Sequence, residues 1–387
     1  MTYDFETLWP SPENASPYLH TTHTHTAAHP EYVNLGVAEM KFRPLPAIAE
    51  ALAQVGTSGT LGYVDPTDAF HAAVAAWQKS RHDWDIEKDW YRLLFGVVPG
   101  IGAAIRAFTR EGDGVIVQTP AYPPFFSAVR GNNRRLLENP LVLNGNRWEM
   151  DLDGLEKLAA QPGTKALLLC SPHNPTGRVW TAEELSRAAD ICRRYGLYVI
   201  SDEIHNDLIM PGYTHTVFSR VAEGLRHTVL AAPSKTFNIP GLTCAFAFTP
   251  DKADRETLHR VMARDMGGYT NAPAIAVCGT AYTRGAEWLD QCCAVIAQND
   301  ALLRQALAKY LPQVRLYDAE GTYLRWADFS ALGYDRAALT ERFERAHFHA
   351  FSGKIFDTRK NLCARINIAC PGRFLEPAVR RLVEALQ

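Results

Sequence analysis

The chain has 387 residues, of which 47% are hydrophobic and 21% are charged, the composition of a globular protein large enough for two domains. Its 40 lysine and arginine residues against 42 aspartate and glutamate residues give a net charge of −2, so no strong positive field is available to bind nucleic acid or an anionic membrane. The longest apolar runs are strand-sized, and the N-terminus lacks an apolar core. The sequence therefore predicts neither a membrane span nor a signal peptide, and we expect a cytoplasmic protein.

The first 45 residues are rich in proline, threonine and histidine and show no clear periodicity before Val33. We predict that residues 1–45 form an N-terminal arm and part of a small domain. Four histidines of this arm resemble a metal-binding tract, namely His20, His23, His25 and His29. Because the tract contains no acidic or cysteine residue, we interpret it as a solvated arm and predict no metal site. The eight cysteines show no C-x-x-C spacing and lie mostly in apolar segments, which predicts reduced, buried thiols.

A glycine-rich segment, residues 96–102, follows an apolar run and leads into a predicted helix over residues 103–108. Backbone amides at the start of a helix bind phosphate well, and we expect those of this segment, including Gly100 and Ile101, to do so. Tyr122, further along the chain, offers a flat ring for stacking on a heteroaromatic ring.

Three apolar runs of strand length each lead to a polar residue, and these residues are Asn174, Asp202 and Lys235. The runs are residues 166–169, 198–200 and 228–232. The spacing between the polar residues fits one strand, helix and strand unit in each interval. Thr181 followed by Glu184 forms a capping box that opens the first of these helices. Right-handed crossovers then place the strands in one mostly parallel sheet, with the three polar residues at the carboxyl ends, where such sheets bind ligands.

An amide, a carboxylate and a lysine in one crevice are the groups that pyridoxal phosphate needs. Lys235 can form a Schiff base with the cofactor aldehyde if burial lowers its pKa. Asp202 can hold the pyridine nitrogen protonated, so that the ring draws electrons from the substrate. Asn174 and His205 can hydrogen-bond the phenolic oxygen of the ring. Ser234 can add a hydroxyl group at the phosphate.

The last third of the chain predicts a second, smaller domain. A long amphipathic helix is expected over residues 287–311, followed by alternating strands over residues 322–326 and 364–368 and a closing helix over residues 376–386. We predict a large cofactor-binding domain over residues 46–280 and a small C-terminal α/β domain over residues 281–387. The predicted fold class is α/β, a three-layer sandwich with a mostly parallel sheet plus the smaller domain.

Several ordered motifs resemble those of the fold-type I pyridoxal-phosphate enzymes in the class I/II aminotransferase superfamily. Within that superfamily the chain resembles the MalY/PatB group of cysteine-S-conjugate β-lyases, or cystathionine β-lyases, from about Val33 to the C-terminus. The motifs are residues 37–40 (VAEM), 61–63 (LGY), 96–101 (GVVPGI), 122–126 (YPPFF), 171–177 (SPHNPTG), 201–205 (SDEIH), 234–238 (SKTFN) and 365–371 (RINIACP).

The resemblance implies a role for individual residues of this sequence. It makes Lys235 the Schiff-base lysine, Asp202 the partner of the pyridine nitrogen and Tyr122 the stacking ring. Arg365 becomes the clamp on the substrate α-carboxylate, for which its two-pronged guanidinium is suited, and Val37 lies beside the substrate. 

The resemblance also implies an assembly, because Tyr63 would reach the phosphate of the neighbouring subunit. We therefore expect a homodimer with shared active sites.

The chain departs from the family pattern at a few positions. Aminotransferases commonly place a phosphate-binding arginine where this chain has Thr243, which favours the lyase group. The usual Trp-Val-Ala-Asp-Met-Asp-Phe run of the lyases is altered at its first position, Gly36, and its charge is reversed at Lys41. We expect these changes to alter the substrate entrance. Residues 351–356 also differ from the Asn-Pro-Gly type of turn that relatives carry.

Each candidate residue also has a purely structural interpretation. Asp202 could cap a helix, and Tyr63 and Tyr122 could be packing residues. Arg365 could belong to a structural ion pair, and His205 could be a core histidine with satisfied hydrogen bonds.

The predicted reaction is α,β-elimination of a cysteine S-conjugate, similar to cystathionine, giving a thiol, pyruvate and ammonia. Lys235 would remove the Cα proton after the substrate amine has displaced it from the cofactor. An aminotransferase is the alternative, because both reactions use the same residues for the first steps. The altered entrance is also compatible with a specialised biosynthetic lyase that acts on a bulky thiol conjugate, or with a relative diverted to oxidative deamination or decarboxylation. A non-enzymatic regulatory role would be favoured by loss of Lys235 or Asp202, and both are present.

Overall fold

The computed structural model describes residues 2–8, 32–58, 62–265, 270–356 and 362–387. The histidine tract of the N-terminal arm and Leu61 of one family motif lie outside these residues.

The described residues form twelve α-helices and thirteen strands, numbered here in chain order. The helices are α1 (Pro46–Ser58), α2 (Asp68–His82), α3 (Val97–Phe108), α4 (Pro123–Arg130), α5 (Leu152–Ala159), α6 (Ala182–Arg194), α7 (Pro233–Thr236), α8 (Lys252–Arg264), α9 (Ala272–Arg284), α10 (Ala286–Tyr310), α11 (Arg336–Arg345) and α12 (Gly372–Leu386). The strands are β1 (Tyr91–Leu94), β2 (Gly114–Thr119), β3 (Arg135–Pro140), β4 (Val142–Asn144), β5 (Arg147–Glu149), β6 (Thr164–Cys170), β7 (Tyr198–Asp202), β8 (His227–Ala231), β9 (Ala245–Phe248), β10 (Arg315–Leu316), β11 (Leu324–Asp328), β12 (Phe351–Ser352) and β13 (Cys363–Asn367).

The large sheet has seven strands in the order β1-β9-β8-β7-β6-β2-β3. The strands from β8 to β3 pair in parallel, and β9 runs antiparallel to both of its neighbours. Helix α6, between β6 and β7, begins with the predicted capping box, because Thr181 and Glu184 each accept a hydrogen bond from the backbone of the other. The mostly parallel sheet predicted from the strand spacing is therefore confirmed.

Helices cover both faces of this sheet. On β6, Leu167 and Leu169 belong to one buried cluster and Ala166 and Leu168 to another, because successive side chains of a strand point to opposite faces. The first cluster includes apolar residues of α2, α5, α6 and α9, and the second those of α3, α4 and α8. Two helical layers with a sheet between them make the predicted three-layer sandwich.

A second, antiparallel sheet has the strand order β10-β11-β13-β12. Trp326 of β11 stands opposite Arg365 of β13. The long helix α10 and the closing helix α12 pack together beside this sheet, and α12 begins four residues before the predicted start. The predicted domain boundary at residue 280 falls inside α9, which continues to Arg284, so the limits of the two domains stay a prediction.

All eight cysteines are buried and unpaired by disulfides, as the sequence predicts. The adjacent cysteines 292 and 293 are both buried, although successive residues of a helix point in different directions.

Candidate active site

Three adjacent parallel strands, β6, β7 and β8, end at the same edge of the large sheet. Asn174 follows β6, Asp202 is the last residue of β7, and Lys235 lies in the single-turn helix α7 after β8. All three line one cavity of about 330 Å³. The structure thus brings together the three residues that the sequence placed at strand ends.

Lys235 projects into this cavity from α7, and its Nζ donates a hydrogen bond of 2.8 Å to the backbone oxygen of Ala38. Burial, together with the positive charge of Arg365, lowers the pKa of Lys235 to about 8. An amine with this pKa is partly unprotonated near neutral pH, which is the state that attacks an aldehyde.

Asp202 is buried at the floor of the cavity, and its Oδ1 accepts a hydrogen bond of 3.0 Å from the backbone N–H of Ile204. Burial raises the pKa of Asp202 to about 7, with the negative charge of Glu203 adding to the rise and the Ile204 hydrogen bond opposing it. The carboxylate has no ion-pair partner within the described ranges. A cation placed beside it would be strongly favoured, because an unpaired buried charge is costly.

His205 is buried beside Asp202, and its Nδ1 has no hydrogen-bond partner in the described part of the chain. Burial lowers the pKa of His205 to about 3, so the ring is neutral at physiological pH. The interpretation of His205 as a core histidine with satisfied hydrogen bonds does not hold for that nitrogen. Its orphaned polar atom in a cavity wall is instead available to a ligand.

Tyr122 lines the cavity at the start of α4, and burial raises the pKa of its phenol, so the ring stays neutral. Ser234, next to Lys235, and Val37, from the N-terminal segment, also line the cavity. The structure therefore places these three predicted residues at the site.

Arg365 reaches the cavity from β13 of the small sheet and is 2% exposed. Its Nη2 donates to the backbone oxygen of Gly36 at 2.9 Å, and its Nη1 donates to Oδ1 of Asn174 at 3.2 Å. Burial lowers the pKa of Arg365 to about 10, which leaves it charged. The rings of Phe351 and Phe356 lie about 5 Å from the guanidinium carbon, and the described residues give it no acidic partner. A structural ion pair is therefore not what holds Arg365 there.

Residues 34–41 cross between the two sheets and close one side of the cavity. The side-chain amide of Asn367 donates to the backbone oxygens of Val37 and Glu39, and Asn238 exchanges two hydrogen bonds with the backbone of Met40. Both asparagines lie inside motifs that the sequence analysis singled out, but no role was assigned to them.

Tyr323 was also missed as a site residue, although it lies within a predicted strand. Its hydroxyl donates a hydrogen bond of 2.9 Å to the backbone oxygen of Ala38, the same atom that accepts a hydrogen bond from Lys235. No pattern in the sequence alone reveals this contact, because 285 residues separate the two partners.

One of the two altered residues near the N-terminus, Lys41, does not lie where we expected it. Lys41 is 6% exposed, pairs with Glu39 at 3.8 Å and is not among the residues that line the cavity, so its reversed charge does not face the substrate entrance. Gly36 has no space for a side chain, since a Cβ atom there would lie 2.9 Å from the ring of His349. The site uses the backbone oxygen of Gly36 instead, which holds Arg365.

Only the first residues of the glycine-rich segment, 96–102, lie at the cavity. Gly96, Val97, Val98 and Pro99 line the cavity at the start of α3. Gly100 and Ile101 do not line the cavity. The amide of Gly100 donates a hydrogen bond to the oxygen of Gly96, and Ile101 is fully buried in the core. First-turn amides of a helix have no acceptor within it, so the amides before Gly100 are the ones free to bind an anion in the cavity.

Tyr63 lies away from this cavity and is fully exposed in the single chain. Thr243, at the position where aminotransferases commonly carry an arginine, lines the cavity and accepts a hydrogen bond of 3.3 Å from Asn271.

The donor set of this cavity fits pyridoxal phosphate. A lysine amine with a lowered pKa faces a buried carboxyl group that lacks a cation, and the orphaned nitrogen of His205 lies beside them. A helix N-terminus opens onto the same space. Together with the three-layer fold, this arrangement is that of the fold-type I class of pyridoxal-phosphate enzymes.

The comparisons with known proteins agree with that class. Residues 30–382 match the family model "Aminotransferase class I and II", and the chain belongs to this family. It is 35% identical over 353 residues to the cystathionine beta-lyase PatB of Bacillus subtilis, covering 90% of this chain and 91% of PatB. It is 33% identical to the protein MalY of Escherichia coli, covering 91% of this chain and 90% of MalY.

A solved structure with the same fold is cystalysin from Treponema denticola, which contains a pyridoxal 5'-phosphate cofactor. The TM-score is 0.92 with 37% sequence identity, over 100% of this chain and 99% of cystalysin. The family resemblance predicted from the motifs is thereby confirmed.

The described residues offer neither a membrane-spanning helix nor a cluster of metal ligands. None of the helices there combines the length and apolar character needed to cross a bilayer. Within the same residues, histidine, cysteine and acidic side chains do not gather in threes as they would around a metal ion.

Proposed function

We propose that this chain is a pyridoxal-phosphate-dependent carbon–sulfur lyase that cleaves cysteine S-conjugates by α,β-elimination. The products are a thiol, pyruvate and ammonia, with one water consumed. The observation that carries the proposal is the convergence of Lys235, Asp202 and Arg365 on one buried cavity. Relatives named as cystathionine beta-lyases match over about nine-tenths of both chains, whereas a relative named as a probable aminotransferase covers 70% of this chain.

When bound, pyridoxal phosphate supplies an electron sink for the electron pair left on the substrate Cα. Asp202 would keep a proton on the pyridine nitrogen, which also satisfies its own buried charge. Asn174 and the neutral His205 would hydrogen-bond the ring oxygen, and Tyr122 would lie against the ring. The amides of Val97 and Val98 and the hydroxyl of Ser234 would hold the phosphate.

Two side chains, the charged guanidinium of Arg365 and the neutral amine of Lys235, would act on the substrate. Arg365 would hold the substrate α-carboxylate, with Gly36 and Asn174 fixing the guanidinium. Lys235 Nζ would accept the Cα proton, because its lowered pKa makes it a base near neutral pH. Val37, which lines the cavity, would lie beside the bound substrate.

We also propose a homodimer in which Tyr63 contributes to the partner's phosphate site. The full exposure of Tyr63 supports this, as do two apolar side chains at the cavity mouth, Phe95 and Val98, which are 41% and 37% exposed. Exposed apolar residues grouped at a cavity mouth are typical of an interface. A cytoplasmic location and the domain limits at residues 45 and 280 remain predictions.

Product analysis of the holoenzyme tests the reaction. L-cystathionine and a panel of S-substituted cysteines would be supplied with and without a 2-oxo acid, and pyruvate, thiol and new amino acid would be measured. We expect equal amounts of pyruvate and thiol without any need for the oxo acid. Amino-group transfer without thiol release would make the protein an aminotransferase instead. Thr243 in place of the aminotransferase arginine argues against that outcome.

A further inference from the structure

A buried carboxylate lies behind the active site and has no role in the proposed reaction. Asp207 is five residues after Asp202, in the segment that follows β7, and is 5% exposed. It is not among the residues that line the cavity. Its two carboxylate oxygens nevertheless contact helices α2 and α7, and so tie both helices to the segment after β7.

Oδ2 of Asp207 accepts a hydrogen bond of 2.8 Å from the hydroxyl of Thr236. Thr236 is fully buried and directly follows Lys235 in α7. Helix α7 is only four residues long, and a single helical turn has little stability of its own. Consecutive helical residues project about 100° apart around the axis, so an anchor on Thr236 fixes the direction in which Lys235 projects.

Oδ1 of Asp207 is held from the other side by α2. Trp77 Nε1 donates to it at 3.1 Å, and His82 Nε2 lies 2.9 Å from it. Although burial opposes ionisation, the hydrogen bond and charge of His82 lower the pKa of Asp207. Asp207 is therefore a carboxylate that accepts from fixed donors on both sides.

The contacts of Asp207 join the segment that directly follows Asp202 at the end of β7 to the single-turn helix that carries Lys235. We propose that Asp207 is a positioning residue, which sets Lys235 relative to Asp202 by tying Thr236 to the segment after β7. This inference rests on the proposed function, in which Lys235 forms the Schiff base. Asp207 acts through Thr236 and does not itself touch the cofactor or the substrate.

The test compares Thr236→Val with Thr236→Ser in the full-length holoenzyme. Valine has nearly the shape of threonine but cannot donate to Asp207, whereas serine can. We expect Thr236→Val to lower kcat about tenfold or more while KM changes little, because a small misplacement of a reacting group is costly. We also expect it to shift the pH midpoint of the visible absorbance band that Lys235 gives with pyridoxal phosphate. Thr236→Ser should restore both values.

Thr249→Val is the matched control. Thr249 is a buried threonine just after β9 whose hydroxyl lies 2.9 Å from that of Thr228, away from the cavity. Its substitution should lower the thermal midpoint without moving kcat or the absorbance midpoint. If Thr236→Val behaves like this control, the contact is only structural and the proposal is overturned.

A second variant covers the case in which Thr236→Val does not fold. Trp77→Phe keeps an aromatic ring beside Asp207 but removes the Nε1 donor, and it should shift the absorbance midpoint in the same direction by a smaller amount. An unchanged midpoint in folded Trp77→Phe would overturn the proposal. The absorbance readout needs no substrate, so a shifted midpoint in an enzyme that releases no thiol would support the positioning role and reject only the lyase reaction.

Discussion

Arg365, in the small antiparallel sheet, donates a hydrogen bond of 3.2 Å to Oδ1 of Asn174, which follows a strand of the large parallel sheet. This contact brings together the two sheets at the proposed substrate site. The guanidinium is also held by the backbone oxygen of Gly36, from the segment that crosses between the sheets. Two distant parts of the chain thus fix the guanidinium that β13 carries into the cavity.

Arg365→Lys should reduce kcat/KM about 100-fold, mainly through KM, because an ammonium group cannot reproduce the two-pronged contact with a carboxylate. Steady-state kinetics with the best cysteine S-conjugate measure this. The affinity for pyridoxal phosphate serves as the control and should not change. An unaltered KM would show that another group holds the substrate carboxylate.

Lys235→Ala should abolish the yellow colour of the Schiff base and reduce turnover by about 10⁴-fold or more, because both the imine and the base are lost. Visible absorbance of the purified protein and a thiol-release assay measure the two effects. Circular dichroism and the thermal midpoint would establish that the variant is folded. Persistence of the band and of turnover would refute the assignment of Lys235.

Asp202 should make the cofactor-free protein less stable as the pH rises. In the folded protein its pKa is about 7, against 3.8 for an unperturbed aspartate, so between these pH values the folded state binds more protons than the unfolded state. Stability therefore falls with rising pH across that window, and the loss is complete above pH 7. The full loss is on the order of 4 kcal/mol.

Asp202→Asn removes this titration while keeping the shape of the side chain. Relative to the wild type, the cofactor-free variant should gain stability between pH 4 and pH 7, as followed by chemical denaturation at a series of pH values. Parallel pH profiles for the two proteins would contradict the raised pKa of Asp202.

Tyr63→Ala should weaken cofactor binding and activity if the partner subunit uses this side chain. Mixing the weakened Tyr63→Ala with inactive Lys235→Ala should then raise the activity above that of either variant, because one of the two sites in each mixed dimer is intact. Random exchange of subunits predicts about a quarter of the wild-type activity. Light scattering would check the dimer, and an inactive mixture with proven subunit exchange would exclude shared sites.

Gly100→Ala should destabilise the protein by about 1–3 kcal/mol through overpacking, because a Cβ atom there would lie 2.6 Å from Leu94. Its cofactor affinity should stay close to that of the wild type if the phosphate is held by earlier amides of α3. Denaturation and a cofactor titration separate the two effects. A large loss of affinity in a fully stable variant would return the phosphate contact to Gly100.

Much of this protein is predictable from its sequence because the determining signals are local. The apolar runs before Asn174, Asp202 and Lys235 and the capping box at Thr181 specify strand, helix and strand units, whose crossovers have one hand. The edge at which the three polar residues meet follows from that rule alone. The long helix α10 likewise follows from its apolar stripe.

The remaining features depend on contacts between residues far apart in the chain. Sequence spacing cannot reveal that the backbone oxygen of Ala38 receives both Lys235 and Tyr323, or that Lys41 turns inward, because a backbone acceptor carries no side-chain signature. Nor can spacing reveal that the amide of Gly100, which we predicted to bind phosphate, donates to the oxygen of Gly96, or that its Cα packs close to Leu94. Periodicity and chain handedness are local properties, and they specify the fold class and the chemical groups at the strand ends. Which of those groups share the cavity, and how far burial shifts their pKa values, depends on the folded chain, because desolvation depends on every element packed around them.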